Sequence, residues 1–334
     1  MFASFAAVTL QDRALGKNTC MDQNQKLSDV GEFALIDLVA AKIGDANHVL
    51  IGTGDDAAQV STADGSYLVS TDLLVEGRHF RRDWSSAYEV GRKAAAANLS
   101  DIAAMGGTAN ALTVGFAAPG DLQASWALEL TRGIVDEAAK VGAIIVGGDV
   151  TASDTITIAV TALGEARRPV RRVGALPGDI VAYAGRLGWA AAGFAALSRG
   201  FRSPKKAVET HRVPEPPYAA GPQAADAGAT AMTDVSDGLL ADLGHIASAS
   251  GVAIDVQRDS FEVGEPLTSV GQALGVDPMT FVLTGGDDYA LVATFSAETD
   301  LPDGWTAIGT VSRGSGITVD GASYEEPPGH EHFR

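Results

Sequence analysis

The chain's 334 residues are 46% hydrophobic, enough for two ordinary domains with large buried cores. Its net charge of −18 argues against nucleic acid or an anionic membrane as the main partner, since both need a basic surface, but leaves room for a phosphate substrate whose charge a metal offsets. A single cysteine, Cys20, excludes an intrachain disulfide and a cysteine-based zinc site and fits a reducing cytoplasm, and no apolar run reaches the ~18 residues of a membrane span.

In chain order, residues 1–27 lack the basic start and long apolar stretch of a secretion signal and read as a poorly ordered extension. Over 31–44, "GEFALIDLVAAKIG" places Phe33, Ile36, Leu38, Val39 and Ile43 at helical spacing. "SYLVSTDLLVEG" predicts a strand running out at Asp72. "SSAYEVGRKAAAANLSDIAAMGG" predicts an alanine-rich helix, capped by Ser85 or Ser86 and stopped by the double glycine. "NALTVGFAAP" predicts a strand, Asp121 the cap of a long helix to Lys140, and "AIIVGGD" a short buried strand. In "TITIAVTALGEA", Thr155, Thr157 and Thr161 alternate with Ile156, Ile158 and Val160, the pattern of a half-buried strand. The basic, turn-rich "EARRPVRRVGALPGD" divides the chain into domains of 28–165 and 166–334. Beyond it come strand "DIVAYAG", helix "WAAAGFAALSRG", the proline-rich linker "RVPEPPYAAGP", strand "ATAMTDVS" and helix "DGLLADLGHIASASG". Strand "VAIDV", helix "EPLTSVGQALG" and strands "TFVLTGG" and "YALVATF" follow. Strands and helices alternate throughout, so the fold class is mixed α/β.

Two stretches set paired aspartates behind glycine: "TGDDAA", with Asp55 and Asp56, and "TGGDDYA", with Asp287 and Asp288. Adjacent like charges cost stability unless water or a cation compensates them. More acids close predicted elements: Asp72 in "STD", Asp101 in "NLSD", Asp149 in "GGD", Asp234 and Asp237 in "DVSD". One acid after a strand is most often a helix cap or turn former. Those four together with "GDD" at Gly54–Asp56 make five such motifs between apolar segments, and they point instead to hard cations, because magnesium takes carboxylate, hydroxyl and carbonyl oxygens and shares them with nucleotide phosphates. Neither G-x-x-x-x-G-K-[ST] nor a strand-borne G-x-G-x-x-G occurs. "GRLGWAAAG" reads as helix packing, and "GHEHF", with His330 and His332, as a solvated or substrate-contacting tail.

The ordered motifs "GEFALI", "IGTGDDAAQV", "VSTDLLVEGRHF", "AAANLSDIAAMGG", "VGGDVT", "RRVGALPGD", "TDVSDGLLADLGHI" and "LTGGDDYAL" resemble thiamine-monophosphate kinase, of the aminoimidazole ribonucleotide synthetase-like superfamily, over nearly the whole chain. "GDDAA" and "STD" are shared across the superfamily; "STDLLVEGRHF" with "NLSDIAAMG" and "SDGLLADLGHI" is more specific. The resemblance implies a two-domain fold whose N-terminal sheet forms a barrel in a homodimer, a C-terminal α+β domain, and an active site between the domains. It implies ATP-dependent phosphorylation of thiamine monophosphate to thiamine diphosphate, with several Mg2+ ions. Carried over residue by residue, Asp56, Ser70, Thr71, Asp72, Asp101, Asp149, Asp234 and Asp237 resemble magnesium ligands. Gly148, Asp149, Arg172 and Ser236 resemble ATP contacts, and Arg172 is a candidate transition-state stabiliser. His79, Asp287 and His330 resemble thiamine monophosphate contacts, and no general base is assigned.

Two departures stand out. The family usually has Gly-Gly-Glu-Asp where this chain has "GGDD", so Asp287 is one methylene short; His330 stands where the family tends to place an aromatic residue. The alternatives are aminoimidazole ribonucleotide synthetase, selenophosphate synthetase (for which Lys17 and Cys20 lack the glycine-rich context), a hydrogenase-maturation relative, and a non-catalytic acidic protein that binds divalent metal.

Overall fold

The structure, a computed structural model, describes residues 49–51, 55–62, 65–325 and 327–330. The extension expected over 1–27, the helix expected over 31–44 and His332 lie outside them. β1 (Val49–Ile51), β2 (Ala58–Thr62), β3 (Gly65–Val75), β4 (Thr108–Ala118), β5 (Ile144–Ala152) and β6 (Thr157–Glu165) form one sheet, in the order β1-β2-β3-β6-β4-β5. Pairing is antiparallel except between β4 and β5. On β6, Ile158, Val160 and Ala162 are buried while Thr157 and Thr161 are half-buried, as the alternation requires.

Helices α1 (Ala87–Ala104) and α2 (Ala124–Ala138) pack together. α1 starts at a capping box: Ser86 caps the Glu89 N–H, and the Glu89 carboxylate accepts the Ser86 N–H at 2.7 Å, an arrangement worth about 1 kcal/mol. The two helices approach closely because each has glycine at the crossing; a Cβ on Gly91 would lie 2.1 Å from the Leu130 carbonyl oxygen, and one on Gly133 2.1 Å from that of Tyr88. Ala94 to Ala97 of α1 are fully buried.

The second sheet holds β7 (Ile180–Ala184), β8 (Ala231–Val235), β9 (Val252–Val256), β10 (Ala290–Phe295), β11 (Trp305–Arg313), β12 (Gly316–Val319) and β13 (Ala322–Ser323), in the order β13-β12-β9-β11-β7-β10-β8. With it go α3 (Trp189–Ser198), α4 (Lys205–Arg212), α5 (Ala220–Asp226), α6 (Leu239–Ser250), α7 (Glu265–Leu274) and α8 (Pro278–Thr284). One core gathers Val181, Leu240, Ile246, Val292 and Ile308. Another gathers Met232, Leu291 and Phe295 with Ala103 and Ala104, so the end of α1 packs against the second sheet. That contact brings the Asp101 end of α1 beside β8. No described helix is long and apolar enough to cross a membrane.

Several expectations change. "TFVLTGG" is helix α8, not a strand: Pro278 sets the first turn and the Asp277 carboxylate caps the Met279 N–H at 3.0 Å. "AIIVGGD" belongs to β5, which is an edge strand and exposed rather than buried. Asp72 lies inside β3, not at its end. Asp121 does not cap α2, whose N-cap is Gln123 without a side-chain hydrogen bond. The proline-rich linker runs into the short helix α5.

Candidate active site

Three segments deliver carboxylates to one place: Asp56 just before β2, Asp101 in the last turn of α1, and Asp234 near the end of β8. Each offers an oxygen within 4.8 Å of the others. Side chains alternate along a strand, so Ser70 and Asp72 of β3 share a face. The Ser70 hydroxyl donates to Asp101 Oδ2 at 2.5 Å, and the Asp72 N–H donates to Asn98 Oδ1 at 2.9 Å. Burial pushes the Asp72, Asp101 and Asp234 carboxyls above their ordinary range. Neighbouring charge adds to this: Asp237 and Asp56 on Asp72; Asp72, Asp234 and Asp56 on Asp101; Asp56 and Asp242 on Asp234. Asp56 Oδ2 and Asp234 Oδ2 are buried without a hydrogen-bond partner among the described residues.

Arg172 is the cation at this cluster. Its Nη2 donates to Asp56 Oδ1 at 2.8 Å, where the Thr233 hydroxyl also donates at 2.9 Å. Burial opposes the guanidinium charge, but Asp56, followed by Asp234 and Asp242, holds its pKa above the usual value. Asp55 anchors the same segment, accepting the Arg172 N–H at 2.6 Å and Arg171 Nε at 3.1 Å. The N-cap position of α6 is Gly238, and Asp242 Oδ2, inside the helix, accepts the N–H groups of Ser236, Asp237 and Gly238, each at 3.1 Å, which ties down the loop that enters it.

The second paired-aspartate stretch lies nearby through Ser236, whose carbonyl accepts the Asp287 N–H at 2.8 Å. Asp288 caps α3: it accepts the Gly188 N–H at 2.5 Å and the Ala190 N–H at 2.9 Å. Asp287 accepts from Lys93 Nζ at 2.8 Å. Partial desolvation works against its charge, but Lys93, with His211 and His79 near it, holds the half-buried carboxyl below its ordinary value. His79 Nδ1 accepts the Val75 N–H at 2.9 Å. The His330 N–H donates to the Asp237 carbonyl at 3.0 Å, which brings the C-terminal tail to the start of α6.

Residues 54–166 match the family described as AIR synthase related protein, N-terminal domain, and residues 177–321 the corresponding C-terminal domain. Over 315 residues the chain is 46% identical to the thiamine-monophosphate kinase of Mycobacterium tuberculosis, covering 93% of this chain and 94% of that one. The chain belongs to the thiamine-monophosphate kinase family. A solved structure of AaThiL complexed with AMPPCP and TMP superimposes with a TM-score of 0.84 at 33% identity, covering 93% of this chain and all of that one. Hydrogenase maturation protein HypE in complex with ATP, at 18% identity and a TM-score of 0.62, covers 90% of this chain and 94% of that one and shares the fold.

For a thiamine-monophosphate kinase family member, the sequence's candidate residues divide by position. Asp56, Asp101 and Asp234 come together with Ser70 and Arg172; Asp72 is near enough to act on Asp101, and Asp237 acts on Asp72 while its own oxygen groups with Asp242 and His245. The Thr71 side chain instead meets Thr161 at 2.8 Å, on the other face of β3. Asp149 is exposed on β5 and is not in the three-carboxylate group. Gly148 has a packing reason of its own, since a Cβ there would lie 2.0 Å from the Val114 carbonyl oxygen. Ser236 joins the two loops. Magnesium fits the cluster: its donors are all oxygens, and two buried carboxylate oxygens have no hydrogen to accept among the described residues. Sequence reasoning missed Lys93, Thr233 and Asp242. For Lys93 the signal was a cation, next to Arg92, at the mouth of the alanine run "GRKAAAAN".

Proposed function

We infer that the chain transfers the γ-phosphoryl group of ATP to the phosphate of thiamine monophosphate, giving thiamine diphosphate and ADP. The observation that carries this is the carboxylate cluster with its orphaned oxygens beside Arg172, in a chain 46% identical to a thiamine-monophosphate kinase. The relative complexed with AMPPCP, an ATP analogue, and TMP supports the same two ligands here.

The main barrier is electrostatic, because donor and acceptor are both anions. A phosphomonoester loses its second proton near pH 6, so about nine-tenths of the acceptor is already nucleophilic at pH 7 and no general base is required. An acceptor oxygen bonds to the γ-phosphorus, the bond from that phosphorus to the bridging oxygen breaks, and ADP leaves with the electron pair. Magnesium, when bound, supplies charge neutralisation and alignment of the phosphates. Asp56, Asp72, Asp101, Asp234 and Asp237 would hold it, with Ser70 orienting Asp101; Thr71 and Asp149, which the fold sets apart from the cluster, are left out of that set. Arg172 stays cationic against Asp56 and steadies the transferring phosphoryl group. Gly148 and Ser236 would lie along the nucleotide, and His79, Asp287 and His330 along the thiamine end.

The separation of the two sheets and of the two family matches supports domains of 28–165 and 166–334. A homodimer is supported by β5, an edge strand that exposes Ile144, Val146 and Val150; a second copy would cover it and close a barrel. ATP as co-substrate and the single cysteine favour the cytoplasm. The test offers the protein ATP and MgCl2 with thiamine monophosphate or with thiamine. Thiamine diphosphate forming only from the monophosphate is expected; product from thiamine, or none from either, overturns the reading.

A further inference from the structure

Lys93 is 2% exposed on α1, among fully buried alanines. Its ammonium donates to Asp287 Oδ2 at 2.8 Å, to the His79 carbonyl at 3.3 Å and to the His211 carbonyl at 3.5 Å. One cation therefore ties three segments, two of which carry the residues placed at the thiamine end. Asp287 itself has little freedom. Its backbone is left-handed (φ 67°), and its N–H is fixed on the Ser236 carbonyl at 2.8 Å. Lys93 occupies Oδ2. Oδ1 has the Tyr289 hydroxyl at 3.4 Å, long for an O–H···O bond, so its accepting capacity remains. The Asp287 side chain is 39% exposed, so a ligand can reach it, whereas Lys93 is enclosed.

We propose that Lys93 is a positioning residue for thiamine monophosphate: it commits Asp287 Oδ2 to the ammonium and so presents Oδ1 to an N–H donor of the substrate's aminopyrimidine ring. This rests on the kinase reading. The short Asp287 makes the arrangement exacting, because a carboxylate on one methylene cannot swing to recover a lost direction. A Lys93 that merely docks three segments would affect stability and both substrates alike. A positioning Lys93 acts on one substrate, through Asp287.

The test compares Lys93→Met, Asp287→Asn, the double variant and Lys93→Arg by calorimetric binding of thiamine monophosphate without ATP, and by the KM for each substrate. A charge-assisted hydrogen bond sets the scale, so Lys93→Met weakens thiamine monophosphate binding by about tenfold to a hundredfold and moves the KM for ATP by less than about twofold. The double variant binds no worse than the weaker single variant, and Lys93→Arg lies between wild type and Lys93→Met. Equal shifts for both substrates, or full additivity with Asp287→Asn, overturn the proposal. Should Lys93→Met not fold, Lys93→Arg decides: the guanidinium keeps the charge but displaces the donor, so affinity falls while Tm holds, and unchanged affinity overturns the proposal. Wild-type protein that does not bind thiamine monophosphate overturns this and the kinase reading together; a wild type that binds and turns over with indiscriminate variants overturns this alone.

Discussion

Asp101→Asn should make the metal-free protein more stable and the enzyme inactive. Asp101 offers an oxygen within 4.8 Å of oxygens on Asp56 and Asp234. At an effective dielectric near 20, one pair of unit charges at that distance repels by about 3 kcal/mol. Burial and this repulsion already raise the Asp101 and Asp234 carboxyls, so proton uptake relieves part of it. Asparagine keeps an oxygen for the Ser70 hydroxyl and removes the charge. The net gain is about 1–3 kcal/mol, or about 2–6 °C in Tm. The assay is thermal unfolding in EDTA and in MgCl2, with turnover measured alongside. Wild type should gain stability with MgCl2 and Asp101→Asn should gain less, because a ligand stabilises only as far as it binds the folded state. An Asp101→Asn protein that melts at or below wild type in EDTA, or that keeps its turnover, refutes the reasoning.

Burial, and then the Lys93 charge, lowers the His211 pKa to about 3, while the unfolded residue titrates near 6.5. A depressed folded pKa gives stability that is complete above about pH 6.5 and falls by up to about 1.4 kcal/mol per unit as the pH drops towards 3. His211→Phe keeps a ring against Trp84 and Phe194 and should flatten that slope in urea unfolding between about pH 6.5 and 4.5; an unchanged slope contradicts it. Asp288→Ala leaves the Gly188 and Ala190 N–H groups without their acceptor and should cost about 2 kcal/mol in denaturant unfolding, with a loss under about 0.5 kcal/mol counting against the cap. Val150 is 75% exposed on β5, so if β5 forms the proposed homodimer interface, Val150→Lys should give monomer where the unchanged chain elutes as dimer in size-exclusion chromatography, and a persistent dimer moves the interface elsewhere.

Regular local chemistry was legible in the sequence. The β6 alternation and a helix start at Ser85 or Ser86 are set by neighbours a few residues apart, and both appear, with Ser86 as the cap and Glu89 completing a capping box that was not read. "TFVLT" failed because a short apolar run suits strand or buried helix equally; Asp277 and Pro278 before it decide the matter. β5 looked buried because it is apolar, but it lies at the edge of the sheet, and edge position depends on strand order. Spacing suggested that the acidic motifs converge. Spacing did not separate the members of each pair; the family resemblance did, naming Asp56 and Asp287. Asp55 anchors the Arg171 and Arg172 segment while Asp56 faces the cluster, and Asp288 caps a helix while Asp287 pairs with Lys93. Those partners lie far along the chain, where sequence pattern gives no register.

The most direct test of the central claim uses ATP labelled in its γ-phosphoryl group, with thiamine monophosphate and MgCl2. The label should appear in the terminal phosphate of thiamine diphosphate, one for each ADP formed, and transfer should stop when EDTA removes the metal. Label released only as inorganic phosphate, or transfer that continues in EDTA, would contradict direct phosphoryl transfer at the carboxylate cluster.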